Sequence, residues 1–275
     1  MKRILIPLLI ALIPAQFIAV TNATTSQLPS KPDLVYVRLT ALDNERGRPL
    51  TGLVKEQLKV SEDNTPQDIV YFSEEDLPLH VGILLDGSGA AKDELKAKAL
   101  PVLTRAGGRD DEFFTVEAGK TPLNDAVLQT INTLAQPGNT KKRALVLLTT
   151  RSDPDAYPFA KVRDLLKELD IQLYVIALQA SSDISNDSGR QMLRDLAERS
   201  GGNAFFPSRL YEQADICKKI MAQLKNQYLI GFRSTNRATD GKWRKIKITG
   251  EYLDTQTKKV KKIEVHAKPG YYAPK

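Results

Sequence analysis

Between residues 79 and 227, short apolar runs alternate with segments of helical periodicity, and this alternation limits the fold more than any other feature of the sequence. The runs lie at 81–85, 113–116, 144–148, 173–178 and 204–206. Because they are continuous, they are typical of parallel strands that are covered on both faces. The intervening segments have apolar residues at i, i+3, i+4 and i+7, the spacing of one helix face. The sequence therefore predicts an α/β, Rossmann-like domain with a mostly parallel sheet.

Strand-like patterns without helices of normal length flank this domain on both sides. They cover 33–78 before it and 228–275 after it. The first block is too small to fold alone, since isolated hairpins need further strands or a helix for stability. We therefore predict that the two blocks are the N- and C-terminal parts of one β-sandwich-like domain, with the α/β domain at 79–227 inserted between them.

The N-terminus has the pattern of an export signal. Lys2 and Arg3 precede an apolar stretch at 4–20, and small residues follow it. This order predicts a signal peptide over 1–23, which a linker at 24–32 connects to the first strand. The apolar stretch is close to the minimum length for a bilayer span, so an uncleaved anchor is the alternative. We expect a secreted or periplasmic protein with no stable membrane span unless the signal stays uncleaved.

The residues needed for common catalytic sites are scarce. The chain has one cysteine, Cys217, and two histidines, so neither an internal disulfide nor a zinc site is expected. The segment 119–121 reads Gly-Lys-Thr, like the end of a phosphate-binding loop, but Phe114 stands where that motif needs a glycine. We therefore do not expect an enzyme.

A short polar turn follows the first apolar run of the α/β domain. It places Asp86 and Ser88 two residues apart, with glycines at 87 and 89. Open α/β folds bind ligands at the carboxyl ends of their parallel strands. Carboxylate and hydroxyl oxygens also suit hard cations such as Mg²⁺ or Ca²⁺. The turn is therefore a candidate ligand or metal site.

The sequence at 86–88 resembles the D-x-S-x-S start of the metal-ion-dependent adhesion site of von Willebrand factor A domains. Further segments resemble the bacterial exported proteins called VWFA-related, and these are 60–64, 69–73, 200–207, 227–232, 240–246 and 268–274. The resemblance implies a von Willebrand factor A-like domain with β-rich flanks. The interval from Ser88 to Thr121 has room for one helix and one strand, so we expect a trimmed domain that lacks an edge strand and a second helix.

The resemblance also implies a metal site whose ligands this sequence keeps only in part. Asp86 and Ser88 match the first aspartate and the first serine, and Thr121 matches the loop threonine. Ala90 and Thr150 stand where the second serine and the second aspartate are expected. We therefore expect a degenerate site and no required cofactor.

Nearby residues offer substitutes for the lost ligands. Asp153 or Asp155 completes the site if their loop bends inward, and Mg²⁺ or Ca²⁺ is then a possible cofactor. Without a metal, a buried Asp86 needs another partner, because an unpaired buried carboxylate costs several kcal/mol. Lys120 and Arg151 are the candidates to replace the cation. The alternative is that both point to solvent and that helix N-terminal amides satisfy the carboxylate.

Basic residues recur along the C-terminal block. They favour a solvated sheet face, since edge lysines also oppose aggregation. Attraction to an anionic envelope polymer is the alternative. Nucleic acid is not an expected partner, because no stacking aromatic residues accompany these lysines. The positions are Lys242, Arg244, Lys245, Lys247, Lys258, Lys259, Lys261, Lys262 and Lys268.

Together these features predict an exported, non-catalytic protein-binding or assembly module whose partner is a protein or an anionic envelope polymer. We expect it to bind through the carboxyl-end surface around Asp86, Ser88, Thr121 and Arg151. Two alternatives stay open. One is a Mg²⁺- or Ca²⁺-dependent adhesion domain, and the other is a structural envelope component whose A-like surface is vestigial.

Overall fold

The computed structural model describes residues 34–119, 121–136, 140–150, 160–178 and 187–275. Its strands are β1 (Val35–Asp43), β2 (Leu58–Glu62), β3 (Thr65–Gln67), β4 (Ile69–Glu75), β5 (Leu79–Asp86), β6 (Glu112–Glu117), β7 (Lys142–Thr149), β8 (Ile171–Ala177), β9 (Asn203–Phe205), β10 (Gln227–Phe232), β11 (Trp243–Asp254), β12 (Lys259–Ala267) and β13 (Gly270–Tyr272). Its helices are α1 (Gly89–Arg105), α2 (Leu123–Leu134), α3 (Ala160–Glu168), α4 (Asp187–Arg199) and α5 (Gln213–Lys225), with short 3₁₀ helices at Lys55–Gln57 and Leu210–Glu212. The predicted signal and linker lie outside the described residues. Within the described ranges, no helix is long and apolar enough to cross a membrane.

A five-stranded parallel sheet forms from the middle of the chain, in the order β6-β5-β7-β8-β9. Every residue of β7 and β8 is buried, so side chains pack against both faces of the sheet. Leu145 and Leu147 of β7 join a core with residues of α2, α3 and α4, whereas Val146 and Leu148 join a second core with residues of α1 and α5. The predicted α/β fold is confirmed, and burial on both faces explains why the apolar runs are continuous.

The segment between the first two strands of the α/β unit is short, as the spacing predicts. The described residues between Ser88 and Thr121 form α1 and β6 and no other helix or strand. As a result, β6 is an outer strand of the parallel sheet. Helix α1 starts directly after the polar turn and continues past Pro101 to Arg105.

The N- and C-terminal strands form one antiparallel sheet of eight strands, which we call the half-barrel. Its order is β3-β2-β11-β12-β1-β10-β4, and β13 also pairs with β11. The unit predicted as sandwich-like is thus one curled sheet. The long strand β11 shapes it, because its successive segments pair with β13, β2 and β12. The buried core of the half-barrel consists of Val37, Leu39, Ala41, Leu53, Leu58, Val60, Tyr228, Ile230, Phe232, Ile246 and Ile263.

A loop at 49–54, which we call the cover loop, packs on this core and is hydrogen-bonded to a buried tyrosine. Tyr228 of β10 is 1% exposed. Its hydroxyl accepts a hydrogen bond from the N–H of Leu53 at 3.1 Å and donates one to the carbonyl of Leu50 at 3.0 Å. Because the hydroxyl is satisfied in both roles, the tyrosine can be buried without an unpaired polar atom.

Ion pairs join the half-barrel to the base of the parallel sheet. Arg38 of β1 donates hydrogen bonds to Glu75 of β4 and to Asp170, which directly precedes β8. The ammonium of Lys268 lies 4.0 Å from the same aspartate. Burial opposes ionisation of Asp170, but the charges of Arg38 and Lys268 outweigh it and lower the pKa of this carboxyl to about 2. These contacts fix the position of the parallel sheet on the half-barrel.

Candidate recognition surface at the carboxyl end of the parallel sheet

Asp86 is the last residue of β5, and its side chain is completely buried. The parallel register places it beside Thr149, the last residue of β7. The Thr149 hydroxyl donates a hydrogen bond of 2.7 Å to Oδ2 of Asp86. A buried carboxylate is tolerated only when such donors satisfy it. The neighbouring strand therefore supplies a partner for Asp86 within the protein.

The turn after Asp86 depends on glycine. Gly87 has a φ of +117° and Gly89 a φ of +68°, both in the region that residues with a Cβ rarely adopt. A Cβ at Gly87 would lie 2.1 Å from the hydroxyl oxygen of Thr150, so that threonine packs directly against the turn. Ser88 lies between the two glycines in an extended conformation and is exposed. The turn thus presents the serine at the surface above the buried aspartate.

Thr121 reaches the same edge of the sheet from the loop after β6. Its N–H donates to the carbonyl of Ala118 at 2.8 Å, and its side chain is exposed. Helix α2 starts two residues later with Pro122 as its N-cap. The structure therefore places Ser88 and Thr121, two of the predicted site residues, on exposed turns at the carboxyl end of the sheet.

The described residues do not supply the ligand set of a divalent cation. Mg²⁺ in proteins is usually held by one or two carboxylates and additional oxygen ligands. Asp86 offers a buried carboxylate, one oxygen of which accepts the Thr149 hydroxyl. Thr150 offers no carboxylate where the resemblance implies the second aspartate, and Ala90 offers no hydroxyl where it implies the second serine. Across the part of the chain that is described, no three residues among His, Cys, Asp and Glu form a group that could hold a metal ion.

Four residues of the predicted site lie outside the described residues. These are Lys120 and Arg151, the candidates to replace the cation, and Asp153 and Asp155, the candidate substitute ligands. Their roles stay predictions.

The sequence did not single out Thr149 as a partner of Asp86. The two residues are 63 positions apart in the chain, and only the pairing of β5 with β7 brings them together. A polar residue directly after the apolar run at 144–148 was the available signal. Such a residue costs free energy on burial unless it has a partner.

Arginines of α4 and of the segment after β9 lie against aromatic rings that follow β9, and they form a second part of this surface. The guanidinium carbons of Arg190 and Arg194 lie 4.8 and 5.2 Å from the ring centroid of Phe206. Arg209 lies 5.8 Å from the ring of Tyr211, which is 65% exposed. A cation over an aromatic face is attracted by the ring quadrupole. These contacts hold positive charge at the carboxyl-end surface, and no motif in the sequence pointed to them.

Several basic residues of the C-terminal block are engaged within the fold. Arg244 is 4% exposed and donates to the Ser234 hydroxyl at 3.0 Å. Lys261 lies 2.8 Å from Asp254 and 2.7 Å from Glu45. The interpretation of the basic block as one solvated face thus needs correction at these positions, because the half-barrel uses their charges in its own packing.

The parallel sheet with its helices, together with the antiparallel half-barrel, is structurally similar to von Willebrand factor type A proteins. One is the ArnB paralog VWA2 from Sulfolobus acidocaldarius, with a TM-score of 0.40, 14% identity, and coverage of 88% of this chain and 76% of that chain. Another is a von Willebrand factor type A protein from Catenulispora acidiphila, with a TM-score of 0.44, 10% identity, and coverage of 88% and 73%. No family model and no curated protein matches the sequence.

Proposed function

We propose that this chain is an exported, non-catalytic binding or assembly module that recognises its partner without a bridging metal ion. The contact surface is the carboxyl end of the parallel sheet. The observation that supports this most strongly is the hydrogen bond from Thr149 to the fully buried Asp86. The Thr149 hydroxyl already donates to a carboxylate oxygen of Asp86 that a bound cation would otherwise need as a ligand.

The buried aspartate has a positioning role in this proposal. It ends β5 and accepts the hydroxyl of β7, so it ties the polar turn to the neighbouring strand. The two glycines then allow a conformation in which Ser88 is exposed. The partner contacts the hydroxyls of Ser88 and Thr121, and Asp86 keeps the turn in place beneath them.

The second part of the surface favours an anionic partner. Arg190 and Arg194 lie over Phe206, and Arg209 lies beside Tyr211. Arginine binds carboxylates through paired hydrogen bonds, and a neighbouring ring adds contact area. An acidic protein segment is therefore the partner chemistry that best fits the described residues.

Site-specific photocrosslinking in the cell envelope of the source organism tests this proposal. A photoreactive phenylalanine is placed at Ser88 or Thr121, and at Thr249 as the control. Thr249 is also exposed but lies on β11 of the half-barrel. We expect one adduct of the same mass from the first two positions, none from the control, and no change when EDTA is present.

The other outcomes separate the alternatives. An adduct that disappears with EDTA would support the metal-dependent adhesion domain that Asp153 or Asp155 completes. Equal labelling at all three positions, or none, would support a structural envelope component. The Arg194→Gln variant should weaken the adduct if the partner is anionic, because it removes one guanidinium from the ring of Phe206.

Export is part of the same proposal. The signal over 1–23 predicts a mature chain that starts near residue 24. Cell fractionation with N-terminal sequencing checks this. A chain that keeps Met1 in the membrane fraction would instead indicate an uncleaved anchor.

A further inference from the structure

Strand β6 is an outer strand of the parallel sheet, and among the described residues only β5 pairs with it. It pairs with β5 through Glu112–Glu117, and it is the first strand in the sheet order. An open edge presents backbone N–H and C=O groups that can pair with another chain. The strand sequence, Glu-Phe-Phe-Thr-Val-Glu, combines aromatic and β-branched residues, which are enriched in strands.

The hydrogen bonds to β5 determine which residues of β6 point their backbone groups outward. The N–H of Ala118 donates to the carbonyl of Leu85 at 2.9 Å, so residue 118 faces β5. Backbone groups of successive strand residues point to opposite sides. Phe113, Thr115 and Glu117 therefore direct their N–H and C=O groups away from β5.

We propose that β6 pairs antiparallel with β6 of a second copy of this chain, about a two-fold axis at Thr115. A two-fold interface brings the same patch of both copies together. The two strands form all of their hydrogen bonds only if residues whose backbone N–H and C=O groups point away from β5 stand opposite one another. Centring it on Thr115 pairs Phe113 with Glu117 of the second copy and Thr115 with its own counterpart. The two parallel sheets then become one continuous sheet of ten strands.

The side chains of β6 are complementary to themselves in this register. Phe114 stands opposite Val116 of the second copy, which gives an apolar cross-strand pair on both sides of the axis. Glu112 stands opposite Ala118, and Glu117 opposite Phe113. No glutamate faces a glutamate, so the direct like-charge contacts that destabilise strand pairs do not arise.

Lysines of the same copy already balance both glutamates. Glu117 lies 2.9 Å from Lys92 and 2.5 Å from Lys96, and Glu112 lies 2.7 Å from Lys141. Hydrogen bonds from the two lysines of α1 lower the pKa of Glu117 to about 2. The edge of β6 therefore approaches a second copy with its acidic ends neutralised.

Disulfide trapping at the axis tests the proposal. In an antiparallel hydrogen-bonded pair the two Cα atoms at residue 115 would lie about 5.5 Å apart, within the range that a disulfide spans. The control is Thr133→Cys, because Thr133 is also an exposed threonine but lies on α2. The native Cys217 does not interfere, since it is buried and burial raises the pKa of its thiol to about 12. We expect Thr115→Cys to give a covalent dimer under mild oxidation and the control to stay monomeric.

The mass of the wild-type protein and two substitutions at Thr115 test the same pairing without a crosslink. Sedimentation equilibrium of the wild-type protein should give twice the monomer mass. Thr115→Pro removes an outward N–H that β5 does not use, and a proline is tolerated on an edge strand in this position. Thr115→Lys places two ammonium groups opposite each other at the axis and should prevent dimerisation at the concentration at which the wild type is dimeric. Both variants should be monomeric with unchanged circular dichroism.

Three results would overturn the proposal. The first is a monomeric wild-type protein at high micromolar concentration. The second is a Thr115→Cys protein that crosslinks no faster than the control. The third is a dimer that survives the Thr115→Lys change, which would indicate that the copies associate through another surface.

Discussion

The ion pairs at the junction of the two sheets should contribute strongly to stability. Arg38 connects Glu75 and Asp170, and the three side chains are only 8%, 7% and 17% exposed. Arg38→Met keeps most of the side-chain volume but leaves two buried carboxylates with fewer counter-charges. Lys268, 4.0 Å from Asp170, is then the nearest cation to that aspartate.

The structure gives a magnitude for this change. The pKa of Asp170 falls from 3.8 to about 2, which corresponds to about 2 kcal/mol of stabilisation of the ionised form. Arg38 supplies only part of this, but it also neutralises Glu75. Removing one partner of a buried ion pair typically costs about 3–5 kcal/mol. We expect Arg38→Met to lower the free energy of unfolding by about 3 kcal/mol at neutral pH.

Urea unfolding followed by circular dichroism measures this loss, and Asp170→Asn provides a double-mutant cycle. In the Arg38→Met background, Asp170→Asn should lower the free energy of unfolding by less than it does in the wild type, because it removes a charge that has lost its main partner.

The depressed pKa of Asp170 also predicts a pH dependence of stability. Stability from Asp170 is fully present above about pH 4 and is lost as the pH falls towards 2. A loss below about 1 kcal/mol for Arg38→Met, or strictly additive effects, would refute the role given to this junction.

Three further changes test other parts of the structure. Burial lowers the pKa of Lys142 from 10.5 to about 8, so the unfolded chain binds this proton more tightly than the folded chain. The stability of the wild type relative to Lys142→Met should therefore rise by up to about 3 kcal/mol between pH 8 and 10.5. Urea unfolding at several pH values in this range measures the rise, and a solvated lysine would give none. Gly87→Ala places a Cβ 2.1 Å from the Thr150 hydroxyl and should lower the free energy of unfolding by about 2 kcal/mol or more. Gly89→Ala has no atom within 4 Å of its new Cβ, so thermal unfolding should show a loss of only about 1 kcal/mol. Tyr228→Phe leaves the N–H of Leu53 and the carbonyl of Leu50 without their partner and should lower the free energy of unfolding by about 1–2 kcal/mol. An unchanged unfolding midpoint would contradict the two hydrogen bonds assigned to the Tyr228 hydroxyl.

The sequence was sufficient to predict the α/β unit because its signals are local. Continuous apolar runs and helical spacing each depend on residues within one element, so β5, β7 and β8 and the helices between them could be recognised directly. The shortened interval between Ser88 and Thr121 likewise predicted that β6 would follow α1 with no further strand.

The half-barrel was predictable only in outline. That the flanking blocks join follows from their small size, but the curl depends on β11 exchanging partners along its length. The burial of Arg244 follows from the same tertiary arrangement, because its partner Ser234 lies on the connection between β10 and β11. Alternation of lysines with apolar residues gives no signal for such a contact.

The candidate site shows the same limit. Asp86, Ser88 and Thr121 could be found from their turns, whereas Thr149 could be assigned to Asp86 only with the register of β5 and β7. The sequence alternatives for the partner of Asp86 were basic side chains or helix amides. A hydroxyl from the neighbouring strand is a further solution that needs no charge.

The most direct test of metal-free recognition is thermal unfolding of the purified protein in EDTA and then in millimolar Mg²⁺, Mn²⁺ or Ca²⁺. An ion at a hundredfold excess over its dissociation constant would stabilise the folded state by about 2.7 kcal/mol, or roughly 5–10 °C for a chain of this size. If recognition is metal-free, the melting temperature of the wild type stays the same in EDTA and with each ion, and that of Asp86→Asn is likewise independent of the ions. A rise with one ion that Asp86→Asn abolishes would contradict metal-free recognition and establish a metal-dependent site.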